Sequence, residues 1–458
     1  MSTRVNAPEV RRFKRYPVYK ASAVEWLGEI PVHWELRRLK TIASVRLSNV
    51  DKKSVEGEES VRLCNYVDVY YNDHITPDLD FMAATATREQ VRRFSLSAGD
   101  VLITKDSESW TDIVVPAVVT LDLPSVLCGY HLALVRPTSD CHGPFLARAF
   151  SSVGIRDQFQ VAANGITRFG LSGDAIQAGV FATPPLEEQR AVAAFLDRET
   201  VRTDALVAKK ERLVELLQEK RTALITRAVT KGLDPNVPMK DSGVEWLGEI
   251  PVRWEGAKMW RISRAVSGGT PTKEERGYWE GDIPWVSPKD MKRRFIDSAE
   301  DAITERAISE TGIKLIAPPV VLIVVRGMIL AHSFPVAITT VPVTINQDMK
   351  ALSFRHGIDP AFMAWLFEGV GKSLLAAIVE EAAHGTRAIR MDQWRSVTVP
   401  VPPESEQQAV AAFLDQETER IDALVAKVRD AIERLKELRI ALISAAVTGQ
   451  IDVREAVS

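Results

Sequence analysis

Two short loops hold residue types suited to touching a polyanion. One reads "NGITRF" from Asn164 and the other "HGTRAI" from His384. Arginine and lysine hold phosphate oxygens or the O6/N7 edge of guanine, and asparagine suits adenine. In the first half of the chain the candidates are Lys105, Asn164, Thr167 and Arg168. In the second half they are Lys292, Arg293, Arg294, Thr386 and Arg387. The Gly and Thr-Arg of the loops recur in both halves, which equally suits a structural role, since readers of different base sequences should differ. The Lys292–Arg294 run has the composition of a solvated charged face. Tyr278, Trp279 and Trp285 read as core, with insertion between bases as the alternative.

Other chemistries lack their residues. "GVGKS" at Gly369–Ser373 suggests a phosphate loop, but that motif needs a glycine where Leu366 stands, and it follows a helical run. "SGGTPT" from Ser267 has adjacent glycines without nucleotide-loop spacing, so it reads as a tight turn, with close approach to a DNA phosphate as its functional alternative. The seven histidines include no HExxH and no pair at ligand spacing, so no metal site is expected. There is no GxSxG, no Asn/Asp-Pro-Pro-aromatic tetrapeptide, and no carboxylate pair that stands out as catalytic. Cys64, Cys128 and Cys141 form no CxxC and read as reduced structural thiols.

The elements that must position these residues come from a chain of 458 residues, enough for about two or three domains. A hydrophobic content of 46% and charged content of 26% suit a folded soluble protein. Net charge is −3, so positive residues must be confined to particular faces if nucleic acid is bound at all. The basic "RRFKRYPVYK" near the N-terminus precedes no apolar run and is not a secretory signal. The greasy stretch from Leu315 is broken by Pro318, Pro319, Arg326, Pro335 and Pro342, which favours buried strands over a membrane span. A cytoplasmic protein without membrane contact is expected.

Internal repetition organises the chain. "SAVEWLGEIPVHW" from Ser22 returns as "SGVEWLGEIPVRW" from Ser242. "PPLEEQRAVAAFLD…DALVAK…ALI" from Pro184 returns as "PPESEQQAVAAFLD…DALVAK…ALI" from Pro402. A tandem duplication of a whole module follows. Its parts are the repeat segment 1–35, a variable stretch 36–183, a helical block 184–235, the second repeat segment 236–255, a variable stretch 256–401 and a helical block 402–458. Both variable stretches read as mixed α/β. Trp26, Trp34, Trp246 and Trp254 read as packing anchors.

In each helical block a proline starts a helix, acidic residues occupy its first turn, and a polar stretch ("DRETVRTD" in the first copy) loosens or breaks it. The longer helix that follows, of roughly 28 residues, would span about 42 Å. Its heptad stripe reads Leu206, Leu213, Leu217 and Leu224 in the first copy, interrupted by Lys210 and Lys220. In the second it reads Val428, Ala431, Leu435, Leu438 and Leu442. One stripe cannot be hidden alone, so the two helices should pair antiparallel, in pseudo-twofold relation. The expected fold is mixed α/β (α+β): two globular domains joined and spaced by two long coiled-coil-like helices.

These repeated segments, together with "SGGTP…YWEGDIPWVSPKDM" from Ser267 and "INQDM" from Ile345, resemble type I restriction–modification specificity subunits. The likeness covers nearly the whole chain, in order and twice. It implies that 36–183 and 256–401 are target recognition domains, each reading half of a bipartite double-stranded DNA site. It implies that the helices act as a ruler and dock two methyltransferase subunits, with motor–endonuclease subunits completing the complex. Catalysis and its cofactors (S-adenosylmethionine, ATP and Mg) would then belong to the partners, with none on this chain. The alternative is a free-standing bipartite DNA-binding regulator.

Overall fold

The computed structural model describes residues 13–381 and 386–454. They form two units, one built from the chain up to Glu211 together with the part from Arg429 onward, the other from Arg212–Val428.

In unit 1 the elements that matter are β1 (Glu35–Arg38), β2 (Ala43–Leu47), β3 (His74–Ile75), β4 (Val101–Thr104), β5 (Asp106–Ser107), β6 (Pro116–Val119), β7 (Leu132–Pro137), α1 (Gly143–Phe150), β8 (Phe169–Gly170), α2 (Gly173–Ala178) and β9 (Val180–Thr183). A five-stranded sheet runs β2-β7-β4-β6-β3. Every neighbouring pair is antiparallel except the edge pair β6/β3. β4 is apolar on both faces because both are covered, and its side chains alternate between two cores. Val101 and Ile103 join Phe145, Phe150 and the long-helix residues Val192 and Phe195, while Leu102 joins Leu63, Val126 and Leu134 on the other face. Cys64, Cys128 and Cys141 are buried free thiols.

The long helix α3 (Leu186–Lys231) begins in unit 1 and ends in unit 2. Unit 2 continues with β10 (Glu255–Lys258), β11 (Ser263–Ser267), β12 (Phe295–Ile296), β13 (Val321–Val324), β14 (Arg326–Gly327), β15 (Val336–Thr339), β16 (Met349–Phe354), α4 (Pro360–Ile378), β17 (Val379–Glu381), β18 (Arg387–Ile389), α5 (Met391–Ser396) and β19 (Thr398–Val401). Its sheet runs β11-β16-β13-β15-β12, again antiparallel except for the edge pair β15/β12. Val321 and Ile323 face one core and Leu322 the other, as in β4. α4 is long and apolar enough to cross a membrane by composition, yet Phe362, Trp365, Leu366 and Phe367 lie in the core of unit 2. It is a core helix.

A second long helix, α6 (Glu404–Val447), closes the chain. The expected break at "DRETVRTD" is absent, and α3 is continuous over 46 residues. The threonines there are compatible with helix because their hydroxyls bond back along it, Thr200 Oγ1 to Asp197 O and Thr203 Oγ1 to Glu199 O. Both helices start the same way. Gln189 is fully buried, donates to Pro184 O (2.9 Å) and accepts from His142 N (2.8 Å). Gln407 does the same with Pro402 O and Asp359 N.

Within each unit the two long helices meet antiparallel. In unit 2, Arg221 Nε faces Asp422 (3.1 Å), while Gly232 lies against Glu406. In unit 1, Arg439 Nε faces Asp204 (3.1 Å), while Val192 and Leu196 share a core with Ala446 and Val447. The same two arginines also grip the globular parts, Arg439 through Asp73 (2.8 Å) and Arg221 through Glu368 (2.7 Å).

The inner stripe differs from the simplest heptad assignment. Leu206 and Leu213 are 41% and 43% exposed, Leu217 is half-buried, and Leu224 packs on the core of unit 2. Val428, Leu435 and Leu438 are half-buried, and Leu442 is buried in unit 1. Ile421, Val425 and Ile432 are the most buried positions of the second stripe before Ala441.

The doubled Trp-rich segments form matching hairpins, Tyr19–Ala21 with Glu29–Pro31 and Met239–Asp241 with Glu249–Pro251. Each buries its leucine, isoleucine and last tryptophan: Leu27, Ile30 and Trp34, or Leu247, Ile250 and Trp254. Trp34 Nε1 and the Tyr16 hydroxyl donate to Glu188, in the first turn of α3. Burial, reinforced by the bond to Glu188, raises the Tyr16 phenol above its ordinary pKa. Gly449 stops α6 at φ +72°, and a Cβ there would fall 2.4 Å from Pro31 of the hairpin. In unit 1, therefore, the hairpin clasps the start of one long helix and the end of the other.

Candidate nucleic-acid interface

In unit 1 the central strand β4 does not end at Thr104. Lys105 turns the backbone, and β5 pairs with β8 to form a small ribbon beyond the sheet. The loop from Asn164 to Arg168 leads into β8 and is closed by two backbone bonds between Asn164 and Gly170 (3.0 and 2.9 Å). Gly165 is required in it, because its φ is +141° and a Cβ would meet Arg168 O at 1.8 Å.

The ribbon assembles a charged cluster around Asp106. Its Oδ2 accepts from Lys105 Nζ (2.8 Å), and its Oδ1 lies 2.6 Å from His131 Nδ1 and 2.9 Å from Arg168 Nη2. Burial works to raise the Asp106 carboxyl, but the bond and charge of Lys105 and the contact with His131 outweigh it and hold the pKa below the ordinary value. Lys105 also sits 4.6 Å from the Tyr130 ring centroid. Its side chain is only 13% exposed, whereas that of Arg168 is 52% exposed. Arg168 is oriented by the acid with part of its guanidinium open to solvent, and Lys105 acts as support. Thr167 and Asn164 are exposed on the same loop, whose Ile166 is 95% exposed. The four sequence candidates of unit 1 thus lie together. Asp106, Tyr130 and His131 were not foreseen, because only the turn at Lys105 makes them neighbours.

Unit 2 builds the same frame from different side chains. β13 passes through Val325 into β14, which pairs with β18, so Arg387 stands opposite Gly327. Val325 N bonds to Asp348 O (2.8 Å) as Lys105 N bonds to His131 O (3.1 Å). Val325, Arg326 and Asp348 therefore occupy the places of Lys105, Asp106 and His131. Arg326 and Met328 are exposed, Thr386 and Arg387 half-buried. His384 and Gly385 lie outside the described residues. Arg326 was missed, although its place directly after "VVLIVV" parallels that of Asp106 after "VLIT".

The Lys292–Arg294 run is elsewhere, at the sheet edge before β12. Arg294 turns inward, 3.5 Å from the Trp365 ring centroid and 3.4 Å from Asp415. Burial lowers its pKa, opposed by Asp415 and Glu368. Arg293 pairs with Asp297 (3.1 Å), and Lys292 is exposed. Arg294 touches the first half of α4 at Ala361 and Trp365, whereas β17, the strand of the ribbon that pairs with β18, follows the last residue of α4.

Residues 251–434 match the family model of the type I restriction modification DNA specificity domain. A specificity subunit of the type I restriction enzyme EcoR124I/EcoR124II from Escherichia coli is 36% identical over 45% of this chain and 48% of its own length. The type I restriction enzyme MjaIX specificity subunit of Methanocaldococcus jannaschii is 28% identical over 37% of this chain and 38% of its own. The chain thus spans about half, or less, of the length of these two relatives. A solved chain from a study of complex assembly and conformational transition of the type I R-M system superposes with a TM-score of 0.71 at 16% identity, covering 91% of this chain and 98% of that one. The HsdS subunit from Thermoanaerobacter tengcongensis superposes at 0.58 and 16% identity, covering 92% and 98%. Residues 251–434 are thus similar to the type I restriction modification DNA specificity domain, and over about nine-tenths of its length the chain shares the fold of these two solved chains.

Proposed function

We propose that this chain is the DNA sequence-recognition subunit of a type I restriction–modification complex, with each unit reading one half of a two-part site in double-stranded DNA. The observation that carries this is the ribbon beyond each central strand: one backbone frame in both units, with Lys105, Asp106, His131 and Arg168 on one and Arg326, Asp348 and Arg387 on the other. Two readers of different half-sites need a common scaffold with divergent surfaces.

The paired long helices set the gap between the half-sites, and the doubled hairpin segments present like surfaces to two methyltransferase subunits. Motor–endonuclease subunits complete the complex. Adenine methylation and ATP-dependent cleavage, with S-adenosylmethionine, ATP and Mg, belong to those partners, and this chain is non-catalytic and cytoplasmic. A mild net charge of −3 fits a reader whose partners share the phosphate contacts. A free-standing regulator would have to supply them all itself.

Selection of random duplexes by the chain purified with its accompanying subunits tests this. Two blocks of specified bases at a fixed gap are expected. One contiguous block, or enrichment without sequence, would overturn the proposal.

A further inference from the structure

A cleft in unit 2 lies between β11, β16 and α5 and includes none of the ribbon residues and none of the Lys292–Arg294 run. It is lined by Arg264, Lys350, Arg355 and Arg395, by the half-exposed indole of Trp260, and by small or apolar residues, with no carboxylate in its lining. Several other arginines of this unit are tied to acids: Arg221 to Asp422, Arg293 to Asp297, Arg306 to Glu310 and Arg390 to Asp392. The four cations of the cleft form no ion pair among the described residues, and Lys350 donates only to Ser267 Oγ (2.5 Å). Four unneutralised cations in one concavity make a field that attracts an anion.

Strand register shows that the feature is confined to unit 2. Ser263 pairs with Phe354 as Ala43 pairs with Pro137, and Ser267 with Lys350 as Leu47 with Ala133. Arg355 N bonds to Ile262 O as Thr138 N bonds to Ile42 O, and Met259 N to Val397 O as Leu39 N to Gly179 O. Ser44, Ala133, Thr138 and Gln177 therefore stand in unit 1 where Arg264, Lys350, Arg355 and Arg395 stand in unit 2. A docking face for two copies of one partner should be doubled, as the hairpins are. This one is single, and so belongs to what unit 2 does on its own account.

We propose that this cleft holds the phosphodiester backbone of duplex DNA beside the half-site that unit 2 reads, a sequence-independent grip that unit 1 lacks at the corresponding place. The inference rests on the proposed function. Neutralising phosphates releases counterions, so each lost contact reduces the salt dependence of binding by about one unit of slope.

The test uses the full chain with its accompanying subunits and compares wild type with Arg264→Gln/Arg395→Gln. Binding to a cognate duplex and to a random duplex is followed across salt concentration. The double variant should lose about two units of slope on both duplexes and read unchanged bases. The Arg264→Lys/Arg395→Lys pair should keep the wild-type slope, because a phosphate accepts either cation, and equal melting temperatures exclude misfolding. An unchanged slope in the Gln pair overturns the cleft alone, as does an altered base preference. A wild-type assembly with no preference for a two-part site overturns the proposed function, and the role of the cleft with it.

Discussion

Asp106 organises the first ribbon, and no pattern in the sequence announces it. Arg168 and Lys105 stood out as basic residues near a loop, but the carboxylate that orders them is visible only once β4 turns and His131 comes alongside. Replacing it by asparagine should disorder the ribbon. Affinity for the cognate duplex should fall about tenfold, as for one lost good base contact, with the half-site read by unit 2 unchanged. Equal loss at both half-sites would remove Asp106 from recognition. Acid acts on the same group. Its pKa is depressed in the folded chain, so its contribution to stability is complete above the ordinary carboxylate value of about 3.9 and is lost as pH falls through the folded value. Asp106→Asn should therefore flatten the fall of melting temperature with pH below about 4. The Lys292–Arg294 run teaches the reverse lesson. It was conspicuous as sequence, yet Arg294 is spent on Trp365 and Asp415.

At the scale of elements, the long helices were legible and their inner stripe only in part. Leucines drew the heptad to Leu206 and Leu213, whereas the half-buried positions are their neighbours Val207 and Val214. A leucine-led assignment slips by one residue here because the stripe also takes in the half-buried Lys210 and Arg221, the latter with its guanidinium paired to Glu368 and Asp422. The continuity of α3 was hidden for a related reason, since back-bonded threonines resemble a loop in composition. Val425→Asp should destabilise the protein by about 3 kcal/mol in thermal or urea unfolding, and Leu213→Asp by less than about 0.5 kcal/mol. The reverse order would refute the structural stripe. Four residues inserted within 207–217 add about 6 Å of helix. The proposed ruler then lengthens the unspecified gap and leaves both half-site sequences alone. Changed bases at constant spacing would sink it.

For the whole molecule, repetition was the most legible signal. The two copies of "EWLGEIPV" and "AVAAFLD" mark the parts that fold alike and make like contacts, and the matching strand orders of the two sheets follow them. What repetition leaves out is the difference between the units: the ribbon chemistry and the basic cleft both arise where the copies diverge, from residues distant in sequence. The proposed role is tested most directly by the map of methylated adenines in the source organism, with and without this gene. Loss of methylation at one asymmetric, two-part motif, and nowhere else, is the predicted result. An unchanged map, in cells shown to make the protein and its partners, would contradict it.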